Sequence, residues 1–108
     1  MEKIITIEGK EIKFKSTGGT PLRYKAQFGK DFFQELVKLS ESKKDGQVNL
    51  KEFDLDIFYR MTWILAKTGN PDIPGMLDWY DSFEDFPIFE IIPDIQDLIF
   101  STIAGKKK

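Results

Sequence analysis

The sequence predicts an α+β domain, mainly α, with an N-terminal β-hairpin packed on a bundle of about four to five helices. Three observations predict it. Residues 1–15 hold two short β-prone runs around a glycine. From Thr20 onward, apolar residues recur at helical spacing, and the breaks are short and rich in Gly, Pro and Asp. The chain has 108 residues, the size of one domain with one core. We therefore read a hairpin over 1–15, a helical body over 20–104 and a flexible basic tail over 105–108.

The elements follow in order. Residues 3–8 are rich in Ile and Thr, and Gly9-Lys10 follows. In 11–15, Ile12 and Phe14 face one way while Glu11, Lys13 and Lys15 face the other. Two strands alone are marginal, so Ile5, Ile7, Ile12 or Phe14 must pack on helices. Residues 16–19 are a flexible break. Thr20-Pro21 reads as an N-cap with proline at the first helical position. That helix carries Leu22, Tyr24, Ala26 and Phe28, and Gly29 stops it. Asp31 caps a second helix, with Phe32, Phe33, Leu36, Val37 and Leu39 on one face. Gln34, Glu35, Lys38 and Glu41 form its polar face.

Residues 43–47 read as a polar loop. A third helix starts near Asp54 and runs to about Lys67. Its only polar stripe is Asp56, Arg60 and Lys67, so it belongs in the middle of the domain. Gly69-Asn70-Pro71 ends it, and Pro74-Gly75 precedes a short helix over 76–83. From Pro87 the chain is helical again, with Glu90, Asp94, Asp97 and Ser101 on one solvated stripe. Pro93 kinks this helix or begins a new one. Gly105 stops it, and the last three lysines fray.

Composition excludes much chemistry. Cysteine and histidine are absent, which removes disulfides, thiol nucleophiles, the commonest general base and the commonest transition-metal ligand. A net charge of −2 without a broad basic face argues against nucleic acid. No apolar run is long enough for a membrane span, and no signal-peptide core is present. The charge is nevertheless segregated. Residues 71–103 hold eight carboxylates and no Lys or Arg, whereas 1–70 hold thirteen bases against ten acids.

Candidate motifs fail on chemistry. Residues 41–52 imitate a calcium loop aligned on Gly46, with Asp45 and Glu52 in register, but Lys43 puts an ammonium where an oxygen ligand must sit. Carboxylate pairs such as Glu84-Asp85, or Asp94 with Asp97, lie in a loop or on a helical polar stripe, as solvated faces do. A metal-dependent enzyme built on them would need a cation these spacings do not specify. Gly18-Gly19 lacks the spacing and lysine of a phosphate loop. We assign no catalytic residue, no metal ligand and no cofactor.

The aromatic run Trp79, Tyr80, Phe83, Phe86 and Phe89 has spacing near three, which usually means core. Together with Phe100, however, it exceeds what one small core hides, and an exposed aromatic patch with an acidic rim suits a protein interface. The candidate partner-binding residues are therefore Trp79, Tyr80, Phe83, Phe86, Phe89 and Phe100, with Asp94 and Asp97.

One run of residues is more specific. Phe58-Tyr59-Arg60-Met61-Thr62-Trp63-Ile64-Leu65-Ala66-Lys67-Thr68 is followed by Pro71-Asp72-Ile73-Pro74. Then come Leu77-Asp78-Trp79-Tyr80-Asp81-Ser82-Phe83 and Phe86-Pro87-Ile88-Phe89-Glu90-Ile91-Ile92-Pro93. With Leu22-Arg23-Tyr24-Lys25-Ala26-Gln27-Phe28-Gly29-Lys30-Asp31 and the β-prone start, this resembles the tail assembly chaperones of long-tailed phages and prophages of Gram-positive bacteria. The resemblance covers roughly residues 3–103. It implies a small β element on a helical body and a non-enzymatic function. Such proteins bind the tape measure protein in the host cytoplasm, keep it soluble and help recruit tail-tube protein, and they are absent from the mature virion. It also implies self-association, and a longer frameshifted product for which the codons of Gly105 and the following lysines are a candidate slip site. It carries no active site, no membrane and no nucleic acid. The alternative is a small adaptor or regulatory module using the same acidic aromatic C-terminal face.

Overall fold

In the computed structural model, which describes residues 1–41, 43–44, 47–48 and 54–104, the chain is α+β and mainly α. An N-terminal antiparallel hairpin precedes five helices among the described residues. The strands are β1 (Glu2–Ile7) and β2 (Lys10–Lys15), registered from Glu2 opposite Lys15 to Ile7 opposite Lys10. Their turn is Glu8-Gly9, one residue earlier than the expected Gly9-Lys10. Both turn residues have positive φ, 52° and 78°, as a right-twisting two-residue hairpin requires. Glycine takes this conformation freely; Glu8 is held in it by its own side chain, described below. Ile7 and Phe14 face the core, as expected.

Helix α1 (Thr20–Phe28) starts one residue earlier than read, with Gly19 as N-cap and Gly29 in the left-handed C-cap position. Thr20 is a buried first-turn residue whose Oγ1 accepts from the Thr17 amide at 2.9 Å. The buried face is Thr20, Tyr24 and Phe28, at i, i+4 and i+8. Of the other apolar residues this helix carries, Leu22 and Ala26 are exposed.

Helix α2 (Phe32–Glu41) is capped by Asp31, whose Oδ1 accepts from the Phe33 and Gln34 amides at 2.8 and 3.1 Å. Phe32, Leu36 and Leu39 are buried, while Phe33 and Val37 face outward. Glu35, expected on the polar face, is buried. The segment read as a polar loop holds a two-residue antiparallel pair, β3 (Lys43–Lys44) with β4 (Gln47–Val48). The side chains of the candidate calcium loop, the Gly105 stop and the basic tail lie outside the described residues.

Helix α3 (Leu55–Gly69) is the centre of the molecule. Asp54 caps it, accepting from the Asp56 and Ile57 amides. Ile57, Phe58 and every residue from 61 to 66 are buried, as its nearly all-apolar circumference predicts. It packs on β2, α1 and α5. The approach to β2 is close enough to demand glycine at its end: a Cβ on Gly69 would overlap the Lys13 carbonyl oxygen.

Helix α4 (Met76–Asp81) is short and ends two residues before the expected limit. Helix α5 (Ile88–Ala104) runs through Pro93, so proline neither ends it nor begins a new helix. Pro93 is exposed, and the Phe89 carbonyl simply lacks its amide partner there. Ile88, Ile91, Ile92, Ile95, Leu98 and Ile99 bury one face of α5 in the shared core.

Candidate functional site

The candidate site is a groove of about 450 Å³ between α3 and α4. Asp56, Tyr59 and Arg60 of α3 line one wall, at i, i+3 and i+4. Met76, Leu77 and Tyr80 of α4 line the other, and Phe86 closes it. Two features fix the spacing of the helices. The Tyr80 hydroxyl donates to the Tyr59 carbonyl at 2.7 Å, and the two rings meet edge to face at 4.9 Å. The loop before α4 is tied to α3 as well: Trp63 Nε1 donates to the Pro74 carbonyl and Lys67 Nζ to the Ile73 carbonyl. Burial pushes the Tyr80 hydroxyl well above its ordinary range, so it stays a neutral donor. Leu77 projects at the edge and is 72% exposed.

A polar network stands behind the α3 wall. Arg60 donates to Glu35 Oε1 at 2.8 Å and to the Tyr24 hydroxyl at 3.0 Å, and that hydroxyl donates to Glu35 Oε1 at 2.7 Å. Burial alone would raise the Glu35 carboxyl, but hydrogen bonds from Arg60 and Tyr24 outweigh it and hold the group below its ordinary range. Burial pushes the Tyr24 hydroxyl far up, against the pull of Arg60. Helices α1, α2 and α3 are thus joined by one charge-assisted set of bonds at the site's back.

The structure divides the eight predicted partner-binding residues. Trp79 and Phe83, 3% and 6% exposed, belong to the core rather than to a surface. Trp79 lies within ring contact of Phe14, Tyr80, Phe83 and Phe86. Tyr80 and Phe86 reach the groove. Phe89 is 55% exposed on α5, and Phe100 is half-buried against the core; neither lines the groove. Asp94 and Asp97 are engaged within the chain, because Lys3 Nζ lies 3.4 Å from one and 2.8 Å from the other. Ser101 meets Ser16 at 3.1 Å. The stripe is thus solvated, as read, and its Asp94 and Asp97 also reach Lys3 of the hairpin.

A second tie holds the hairpin's other end. The Glu8 carboxylate accepts from the Asp85 and Glu84 amides at 2.8 and 3.0 Å. These two bonds draw its carboxyl below the ordinary range. The Glu8 carboxylate is thus held by the backbone donors of two acidic residues. Among the described residues, no three acidic side chains converge in a metal-holding cluster.

Sequence reading missed Asp56, Tyr59, Arg60, Met76 and Leu77 as site residues. A signal was present. Asp56 and Arg60 interrupt an otherwise apolar helix, and that stripe marks the strip of α3 left uncovered. No protein family, no curated protein and no solved structure matches this chain. No helix among the described residues is long and apolar enough to cross a membrane.

Proposed function

We propose that this chain is a non-enzymatic phage tail assembly chaperone. It binds the tape measure protein in the host cytoplasm, keeps it soluble and helps recruit tail-tube protein, and it does not remain in the virion. The observation that carries the reading is the preorganised apolar groove between α3 and α4, walled by Tyr59, Met76, Leu77, Tyr80 and Phe86. A groove of this kind takes apolar anchors from a helix, and tape measure proteins are long and helical. Helices α3 and α4 hold part of the run that carries the resemblance to tail assembly chaperones, residues 58–68 and 77–81. The acidic surface of the C-terminal third supplies the charge that keeps a holder of apolar helices in solution. Self-association would add avidity, so that individual contacts stay weak enough for tail-tube subunits to displace the chain.

Co-expression tests this. With this chain present, the tape measure protein of the same tail gene cluster is expected in the soluble fraction and to co-purify with it. Equal precipitation with and without the chain removes the chaperone reading and leaves the adaptor role on another protein.

A further inference from the structure

The groove's walls and its rim ask for different things. Two polar groups of the walls are already engaged. The Tyr80 hydroxyl is satisfied by the Tyr59 carbonyl, and the Arg60 guanidinium is committed to Glu35 and Tyr24. An apolar side chain therefore enters without breaking the bonds of Tyr80 or Arg60. The rim keeps its negative charge. Asp56 borders the α3 side and forms no ion pair among the described residues. On α4, exposed Asp81 lies one turn beyond Leu77 and next to Tyr80, and it too has no ion pair among the described residues. With Arg60 paired to Glu35, Asp56 at the groove and Asp81 at the end of α4, next in sequence to its lining residue Tyr80, leave negative charge unpaired among the described residues.

We propose that this groove takes one amphipathic helix of a partner protein, with an apolar stripe flanked by lysine or arginine, and that it rejects helices flanked by acids. The proposal rests on the chaperone reading and names the chemistry of the segment held. Successive turns of such a helix place apolar anchors against Tyr59, Met76, Tyr80 and Phe86, with Leu77 closing over them. Its basic flanks then meet Asp56 and Asp81. Like charge at the same positions repels an acid-flanked helix, which makes the rim a device of specificity more than of affinity.

The test uses the full chain and two labelled synthetic helices of roughly 18 residues, about five turns. Both carry the same leucine stripe; one has lysine flanks and the other glutamate flanks. Fluorescence anisotropy at low salt is expected to show the lysine-flanked helix binding about tenfold tighter, with the gap narrowing as salt is added. Leu77→Asp, at an exposed position that leaves the fold intact by circular dichroism, weakens it by about tenfold or more. The double variant Asp56→Lys with Asp81→Lys reverses the preference. Equal binding of the two helices, binding indifferent to Leu77→Asp, or no binding of either overturns the proposal. Tape measure solubility separates the two ideas. If Leu77→Asp still keeps the tape measure protein soluble, the groove falls and the chaperone reading stands. If the lysine-flanked helix binds through the groove while the tape measure protein precipitates, the converse holds.

Discussion

Glu35 sits on the face of α2 that its neighbours Gln34 and Lys38 mark as polar, yet it is only 4% exposed. What keeps it inside is Arg60, which reaches across from α3, with Tyr24 as the bridge. Removing Arg60 leaves Glu35 with the Tyr24 hydroxyl and with Lys38, which is 3.7 Å away and more exposed. Arg60→Met is expected to cost about 3 kcal/mol in urea unfolding, whereas Glu35→Leu combined with Arg60→Met costs far less, because no buried charge is left alone. A double-mutant cycle showing additive losses would contradict the coupling. Gly69 makes a different demand. Gly69→Ala places a methyl group against the Lys13 backbone, 2.9 Å from its carbonyl carbon, where no side chain can swing aside. Overpacking of this kind costs about 3 kcal/mol, and the better helix propensity of alanine returns about 1 kcal/mol. The midpoint of thermal unfolding should therefore fall, against the rule that Gly→Ala stabilises a helix.

At the scale of elements, the hairpin is clamped at both ends. Lys3 of β1 reaches Asp94 and Asp97 of α5, and Glu8 at the turn holds the loop before α5 by two amides. The pair Asp94→Lys with Asp97→Lys is thus expected to loosen β1 from α5 with only a small loss of stability, since these side chains are solvated. Adding Lys3→Glu should restore most of the loss; hydrogen exchange of the β1 amides would register both steps. Helix starts and stops were legible because they are local: Asp31, Asp54, Gly29 and Gly69-Asn70 act on their own neighbours. The α5 stripe was legible as a stripe, but its partner Lys3 lies more than ninety residues away in sequence. The apolar residues of α1 were legible but not its buried face: Tyr24 and Phe28, spaced by four, pack inward, and Leu22 and Ala26 of the same helix stand off it. The groove was half legible. Tyr80 and Phe86 belonged to the singled-out aromatics, while Tyr59 and Leu77 carry no mark beyond being apolar.

At the scale of the whole molecule, ionisation leaves a wide neutral plateau. The chain has no histidine and no cysteine, so no side chain with an ordinary pKa between about 5 and 8 is present to titrate there. The perturbed groups lie outside it. On the acid side, Glu8 and Glu35 are held below the 4.5 of a free carboxyl. Their contribution is complete above that value and is lost as pH falls through their depressed folded values, where protonation breaks the Asp85, Glu84, Arg60 and Tyr24 bonds. On the alkaline side, Tyr24 and Tyr80 are pushed above the 10.0 of a free phenol and Lys3 above the 10.5 of a free amine. Their contribution is complete below those values and is lost as pH rises past them, because the unfolded chain gives up protons that the folded chain keeps. Urea midpoints measured across pH should therefore be flat through neutrality and fall at both ends. Glu8→Gln should make the acid limb shallower, and Tyr24→Phe should do the same for the alkaline limb. A stability step near neutral pH, or an alkaline limb untouched by Tyr24→Phe, would show that the buried network does not govern the ends of the curve.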